Sequence, residues 1–263
     1  MFHHVGLQSD LEALRDDLAC DVRVIECNRE FEAMPEDWVA ELAFITDSIE
    51  PVTYPASWVP ADAPEALHRY VRTDPAIGLP GDGGVTWTVQ TTPPLVIVKP
   101  RLMGAPADFR DFLVAEAILQ LSLGHAETAL AFFGEEYPRL HEATGGNGDL
   151  AYRLAVSLYD CWQGLDTREH VRGWETEYPR LHEAWDDAGS HLQPRINSIP
   201  SLLDDRSLRF GEATELACSA IRHDLELPAP YAALDVDAYH ERGAAFAVRW
   251  AERILDQLDH HPS

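Results

Sequence analysis

The chain has 263 residues, 46% hydrophobic and 25% charged, enough apolar material to bury a core and too much for a disordered polymer. Its 45 acidic residues outnumber 20 basic ones for a net charge of −25, and Lys99 is the only lysine. Acids exceed bases in both parts, 17 to 7 in residues 1–105 and 28 to 13 beyond, which leaves no basic domain to hold a phosphate backbone and predicts no nucleic-acid partner.

No apolar run approaches the roughly 20 residues of a membrane helix, and the start, Met-Phe-His-His-Val-Gly-Leu-Gln, lacks the basic opening of a secretory leader. The expectation is a cytoplasmic protein with no membrane partner. A surface this acidic repels itself unless concentrated salt screens it. With lysine nearly absent, the composition resembles that of salt-accumulating halophilic archaea; arginine-for-lysine bias in a GC-rich genome is the alternative. Cys20, Cys27, Cys161 and Cys218 have no CxxC spacing and read as reduced thiols.

Residues 1–105 read as a small α+β portion. Ser9 and Asp10 can cap a helix to about Leu18 whose Leu11, Leu14 and Leu18 share a face. Asp21–Glu26 alternates as a strand, and a helix starts at Pro35 with Trp38, Leu42 and Ile45 facing inward. Prolines 51, 55, 60 and 64 forbid regular structure until a short helix over 65–72, and Tyr54 and Trp58 are expected to pin that stretch. The glycine-rich loop 78–84 has no Gly-Lys-Ser/Thr and no following helix, so it is not a phosphate cradle. A β-hairpin follows over 85–99, its second strand Leu95–Val98 apolar on both faces.

From residue 106 to 263 the pattern is helical. A helix over 106–123, apolar nearly all round, ends at Gly124; a second covers 125–136. Tyr137-Pro138 then opens a short third helix that the run Gly145-Gly-Asn-Gly148 stops. The octapeptide Glu136-Tyr-Pro-Arg-Leu-His-Glu-Ala143 returns unchanged 41 residues later as Glu177–Ala184. At that offset Leu113 falls on Leu154, Ala117 on Leu158, Leu121 on Trp162 and Phe133 on Trp174. Repeat units of about 113–143 and 154–184 are therefore expected, the second with a helix from Asp149 to Gln163 ended by Gly164 and another over 167–176. Further helices are predicted over 207–223 and 236–258. The fold class is α+β, mainly α: an N-terminal α+β portion, then an antiparallel helical-repeat array.

The segment Leu121-Ser-Leu-Gly-His-Ala-Glu-Thr-Ala-Leu-Ala-Phe-Phe133 resembles the centre of a tetratricopeptide-type hairpin, with Gly124 in the turn and Ala129 and Phe133 packing. That family's period is about 34 residues against 41 here. The resemblance implies a helical scaffold that presents a surface to partner proteins, and it transfers no ligand residues.

Candidate chemistry is sparse. His141 and His182, each followed by Glu, could serve a metal, but adjacent helix positions point about 100° apart, and Arg139–Glu142 pairing on a helix surface is the plainer reading. Glu116 sits with Gln120 on an apolar helix line, where a carboxylate needs a partner, Arg153 for example, or a raised pKa. A catalytic reading would gather Glu116, Asp160, Tyr159 and His141 around a pocket between helices. Terminal His3, His4, His260 and His261 are expected to be disordered. Lys99 is expected simply to end a strand. No Gly-x-Ser-x-Gly, His-Glu-x-x-His or Walker pattern occurs, so no cofactor is expected. The leading expectation is a protein-protein interaction or scaffold module adapted to high salt, the alternative an enzyme of unrecognised type.

Overall fold

A computed structural model describes residues 2–31, 33–72, 76–78 and 83–260, excepting the side chains of 259 and 260. Residues 79–82 of the glycine-rich loop, and His261, lie outside the described residues. The protein is mainly α-helical with a small N-terminal β portion.

The chain divides into two compact units. Unit 1 comprises Met1–Tyr54, Glu65–Glu127 and Gly173–Ala184; unit 2 comprises Pro55–Pro64, Thr128–Arg172 and Trp185–Ser263. The division therefore does not fall at residue 105.

Unit 1 is built on a four-stranded sheet of β1 (Phe2–His4), β2 (Arg23–Cys27), β4 (Val85–Thr88) and β6 (Leu95–Val98), in the order β1-β2-β6-β4. The expected hairpin is present, with Val85 opposite Val98 and Thr88 opposite Leu95. β2 and β6 are parallel neighbours, Ile25 beside Ile97. Two-residue strands β3 (Ser48–Ile49) and β5 (Thr91–Thr92) form a second ladder. His3 and His4 are not disordered ends: they occupy the edge strand β1, opposite Glu26 and Ile25.

All four β6 residues are buried because each sheet face is covered. On one face Ile25, Cys27, Leu95 and Ile97 pack with Phe31, Met34 and, from α2 (Glu36–Leu42), Trp38, Val39 and Leu42. Trp87, opposite Val96, belongs to the other face and donates from Nε1 to Gln120 Oε1 at 2.9 Å. Gln120 lies on α4 (Ala107–Ser122), which packs on β4, β6 and α1 (Ser9–Asp17). That packing places α4 with the sheet, where the sequence pattern grouped it with the later helices. The predicted 65–72 helix is α3 (Glu65–His68) followed by a 3₁₀ turn, Arg69–Val71. Tyr54 packs on Tyr70 at 5.5 Å.

Lys99 does not merely end a strand. It is 1% exposed, its Nζ 4.7 Å from the centre of the Phe31 ring. Burying an ammonium is costly unless paired, and a cation over an aromatic face supplies part of that compensation.

The helices that follow are α5 (Ala129–Phe133), α6 (Tyr137–Ala143), α7 (Gly148–Glu177), α8 (Pro179–Asp204), α9 (Phe210–Ile221), α10 (Asp237–Arg242) and α11 (Ala244–His260). In unit 2, α11 packs on α5 and α6, and Phe210, Tyr231 and Trp250 form an aromatic triangle with centroids 6.0–6.3 Å apart. Gly243, at φ +51°, splits the expected 236–258 helix into α10 and α11.

The two octapeptides lie in different settings. In the first copy the chain turns at Gly124 and Gly134, both at positive φ, and α6 stops at Gly145 and Gly146, again at positive φ. Forty-one residues on, Gly124 becomes Leu165 and Gly134 becomes Glu175, residues that resist left-handed backbone. The second copy accordingly lies between longer helices: α7 has 30 residues and α8 has 26, where two shorter helices broken at Gly164 were expected.

Gly164 is instead a packing residue. A Cβ there would stand 2.9 Å from Arg222 Cβ and 3.1 Å from Arg222 N and Cα. Gly164→Ala is expected to lose about 1–2 kcal/mol, because overpacking outweighs about 1 kcal/mol of helix propensity. Gly173→Ala, on the same helix with nothing within 4 Å, is expected to gain about 0.5–1 kcal/mol. Chemical denaturation compares them, and a Gly164→Ala protein as stable as wild type would refute the packing role.

Candidate functional site

The sequence candidates fall in separate surroundings. Glu116 is 5% exposed on α4 in unit 1, a helix that also buries Asp111 and Gln120. Arg153, a suggested partner, lies in unit 2 and faces Glu215 at 3.6 Å. Tyr159, Asp160 and His141 belong to unit 2. His141 is buried on α6, its Nε2 3.0 Å from Oδ2 of Asp62, a residue of the proline-rich segment 55–64. Close approach of that segment explains Gly148, whose Cβ would stand 2.4 Å from the Asp62 carbonyl oxygen.

One turn before His141, Tyr137 is fully buried with no hydrogen-bond partner for its hydroxyl among the described residues. Burial, then the Asp62 charge, pushes its phenol above the usual range. His182 is half-buried at the start of α8 in unit 1. Among the described residues no group of three or more His, Cys, Asp or Glu is arranged to hold a metal ion.

Identical octapeptides use different side chains. In the first, Arg139 pairs with Glu252 at 2.7 Å and Glu136 at 3.5 Å, not with the expected Glu142. In the second, Arg180 holds three aspartates at 2.7–2.8 Å: Asp10 of α1 and Asp108 and Asp111 of α4. Tyr178 donates to Asp17, and burial with that contact pushes its phenol up to about 12.

The most distinctive surface in unit 2 is a stack of rings. Tyr159, Trp162 and Asp166 recur at three- and four-residue spacing on α7, so they share one face. Trp162 lies 6.2 Å from Tyr159 at 18° and 5.8 Å from His240 of α10 at 11°. Phe132 of α5 closes on Tyr159 at 4.9 Å and on Trp162 at 5.1 Å. Trp162 Nε1 donates to the His240 carbonyl at 3.0 Å, and Asp166 Oδ1 stands 3.5 Å from His240 Nε2. The sharp turn at Gly243 leaves room for Phe132, 3.4 Å from where a Cβ would sit.

Tyr159 is buried, Phe132 and Trp162 are half-buried, and the His240 side chain is 46% exposed. The array thus grades from core to solvent, with carboxylate Asp166 at its rim. Such a face can stack an aromatic or guanidinium group and offer it an acceptor. Sequence reading placed Trp162 in a core register and passed over His240. The available signal was the Tyr159–Trp162–Asp166 spacing on one helical face.

Also in unit 2, Cys161 and Cys218 are buried and their thiols interact; burial, then Cys161, raises the Cys218 thiol. All four cysteines are free thiols. Asp160, half-buried, contributes its charge to the surroundings of Cys218 and Tyr239. Tyr159, Asp160 and His141 therefore serve a ring stack, a thiol environment and a His–Asp pair respectively.

The profile of a family of unknown function, DUF7089, matches residues 1–258, and the chain belongs to that family. No curated protein and no solved structure matches it. No helix among the described residues is long and apolar enough to cross a membrane.

Proposed function

We propose that this member of the family is a non-enzymatic interaction module of the high-salt cytoplasm. It would present the Phe132–Tyr159–Trp162–His240 face of unit 2 to a partner protein. The partly exposed ring stack carries the reading: aromatic anchors with a polar rim are the side chains that dominate binding energy where proteins meet. The acidic composition adds to it, because Asp166 at the rim favours a partner group that combines a flat face with positive charge, as an arginine does. The different recorded partners of Tyr159, Asp160 and His141 favour the interaction reading over the enzymatic alternative.

Affinity capture in multimolar KCl with wild type, Trp162→Ala and Phe132→Ala tests it. A partner retained by wild type is expected to bind at least about tenfold more weakly to Trp162→Ala, since truncating a central tryptophan costs about 2 kcal/mol or more. Thermal melts establish that each variant is folded. Equal capture by folded Trp162→Ala and wild type would refute the assignment.

A further inference from the structure

A second feature of unit 2 is separate from the ring stack. Gln193, Ile196 and Asn197 of α8 line a pocket of about 450 Å³ with Glu226, Leu227 and Pro228 of the connector after α9. The pocket is an open depression of the surface with a lining more polar than apolar. Gln193 and Asn197 are one turn apart, and Gln193 Nε2 donates to Asn197 Oδ1 at 3.1 Å, which leaves Gln193 Oε1 as an acceptor. Leu227, 7% exposed, and half-buried Pro228 supply the apolar surface, with fully buried Ile196 beneath them. Glu226 is exposed and has no hydrogen-bond or ion-pair partner among the described residues.

The lining sets the polarity of the pocket. None of the six lining residues is basic, so Glu226 gives it a net negative charge. The Glu226 carboxylate and the Gln193 amide oxygen supply acceptors on one side of the pocket. The matching ligand has several N–H donors, a positive charge and a short apolar stem.

We propose that this pocket binds an alkylammonium or alkylguanidinium group, the stem lying on Leu227 and Pro228 and the cation meeting Glu226 and Gln193 Oε1. Two sources share that chemistry: a free aliphatic diamine and a Lys or Arg side chain presented by a peptide. The net charge of −25 concentrates either near the protein at low salt.

Calorimetric titration of the full chain with 1,4-diaminobutane, with an acetylated, amidated Gly-Arg-Gly peptide, and with 1,4-butanediol as the uncharged counterpart tests the site. At least one cation is expected to bind saturably and the diol not. Glu226→Gln removes the charge from an exposed side chain and is expected to weaken binding about tenfold. Asn197→Arg places a tethered guanidinium at the pocket and is expected to abolish binding. Tight binding of the diamine alone identifies a free amine as ligand, and tight binding of the peptide alone identifies a presented side chain. Absence of saturable binding by both cations, or binding unchanged in both variants, overturns the proposal. Trp162→Ala, which tests the ring stack, is expected to leave this binding intact, so the two sites fail independently.

Discussion

Arg180→Ala is expected to destabilise the protein by about 2–3 kcal/mol, while Arg139→Ala, the same residue of the same octapeptide, is expected to change stability far less. Local sequence cannot cause the difference, because the eight residues are identical. Arg180 brings together carboxylates from α1 and α4, and its partner Asp111 is only 6% exposed. Removing it leaves three aspartates facing one another, one stripped of most of its water. The side chain of Arg139 is 45% exposed and meets Glu252 at 34% exposure, where water already screens the pair.

The pH dependence follows from the same geometry. Hydrogen bonding to Arg180 holds the Asp10 carboxyl below its ordinary value. A carboxylate depressed in the folded state contributes stability that is present above the unfolded value of about 4 and is lost as pH falls through the folded value. In Arg180→Ala that contribution is gone, and acid relieves the repulsion among the three aspartates. The gap between wild type and variant is therefore expected to be widest near neutral pH and to narrow below about pH 4. Denaturant titrations at several pH values measure it. A gap independent of pH would mean that Arg180 acts through packing of its stem instead of its charge.

What the sequence disclosed and what it hid separate along a physical line. Elements fixed by local patterning were legible: the hairpin flanking Pro93 and Pro94, the doubly buried Leu95–Val98, the Pro35 helix start and the end of α4 at Gly124. The failures lie where one residue type has two physical uses. Gly164 reads as a helix stop, but a glycine also lets a second backbone approach, and Arg222 takes that place. Lys99 reads as a strand end, but its burial follows from Phe31 lying beneath its ammonium group. The ring stack draws Phe132, Trp162 and His240 from three helices, and only the α7 contribution has a sequence spacing. Asp62, the partner of His141, lies 79 positions away in a stretch whose prolines mark it only as irregular.

Raising KCl from 0.1 to 2 M is expected to stabilise the protein by about 3 kcal/mol, roughly 10 °C in Tm. The bases are already shared: Arg180 serves three acids, and Arg168 faces Glu169, Asp224 and Asp235. With 45 acids and 20 bases, the remaining carboxylates can be eased only by solvent ions. The screening length falls from about 10 Å to about 3 Å as salt rises from 0.1 to 1 M. Screening also weakens exposed ion pairs, so the sign of the shift reports which effect wins. Repulsion among the excess acids wins here, because acids outnumber bases 45 to 20 and an exposed pair typically contributes only about 0–1 kcal/mol. Glu142 and Glu183, the exposed glutamates of the two octapeptides, offer an internal control. Replacing both with Gln is expected to raise Tm at low salt more than at high salt, since it removes repulsion that concentrated KCl already suppresses. A Tm that stays flat or falls with KCl would reject the high-salt reading and leave the shortage of lysine as a coding bias.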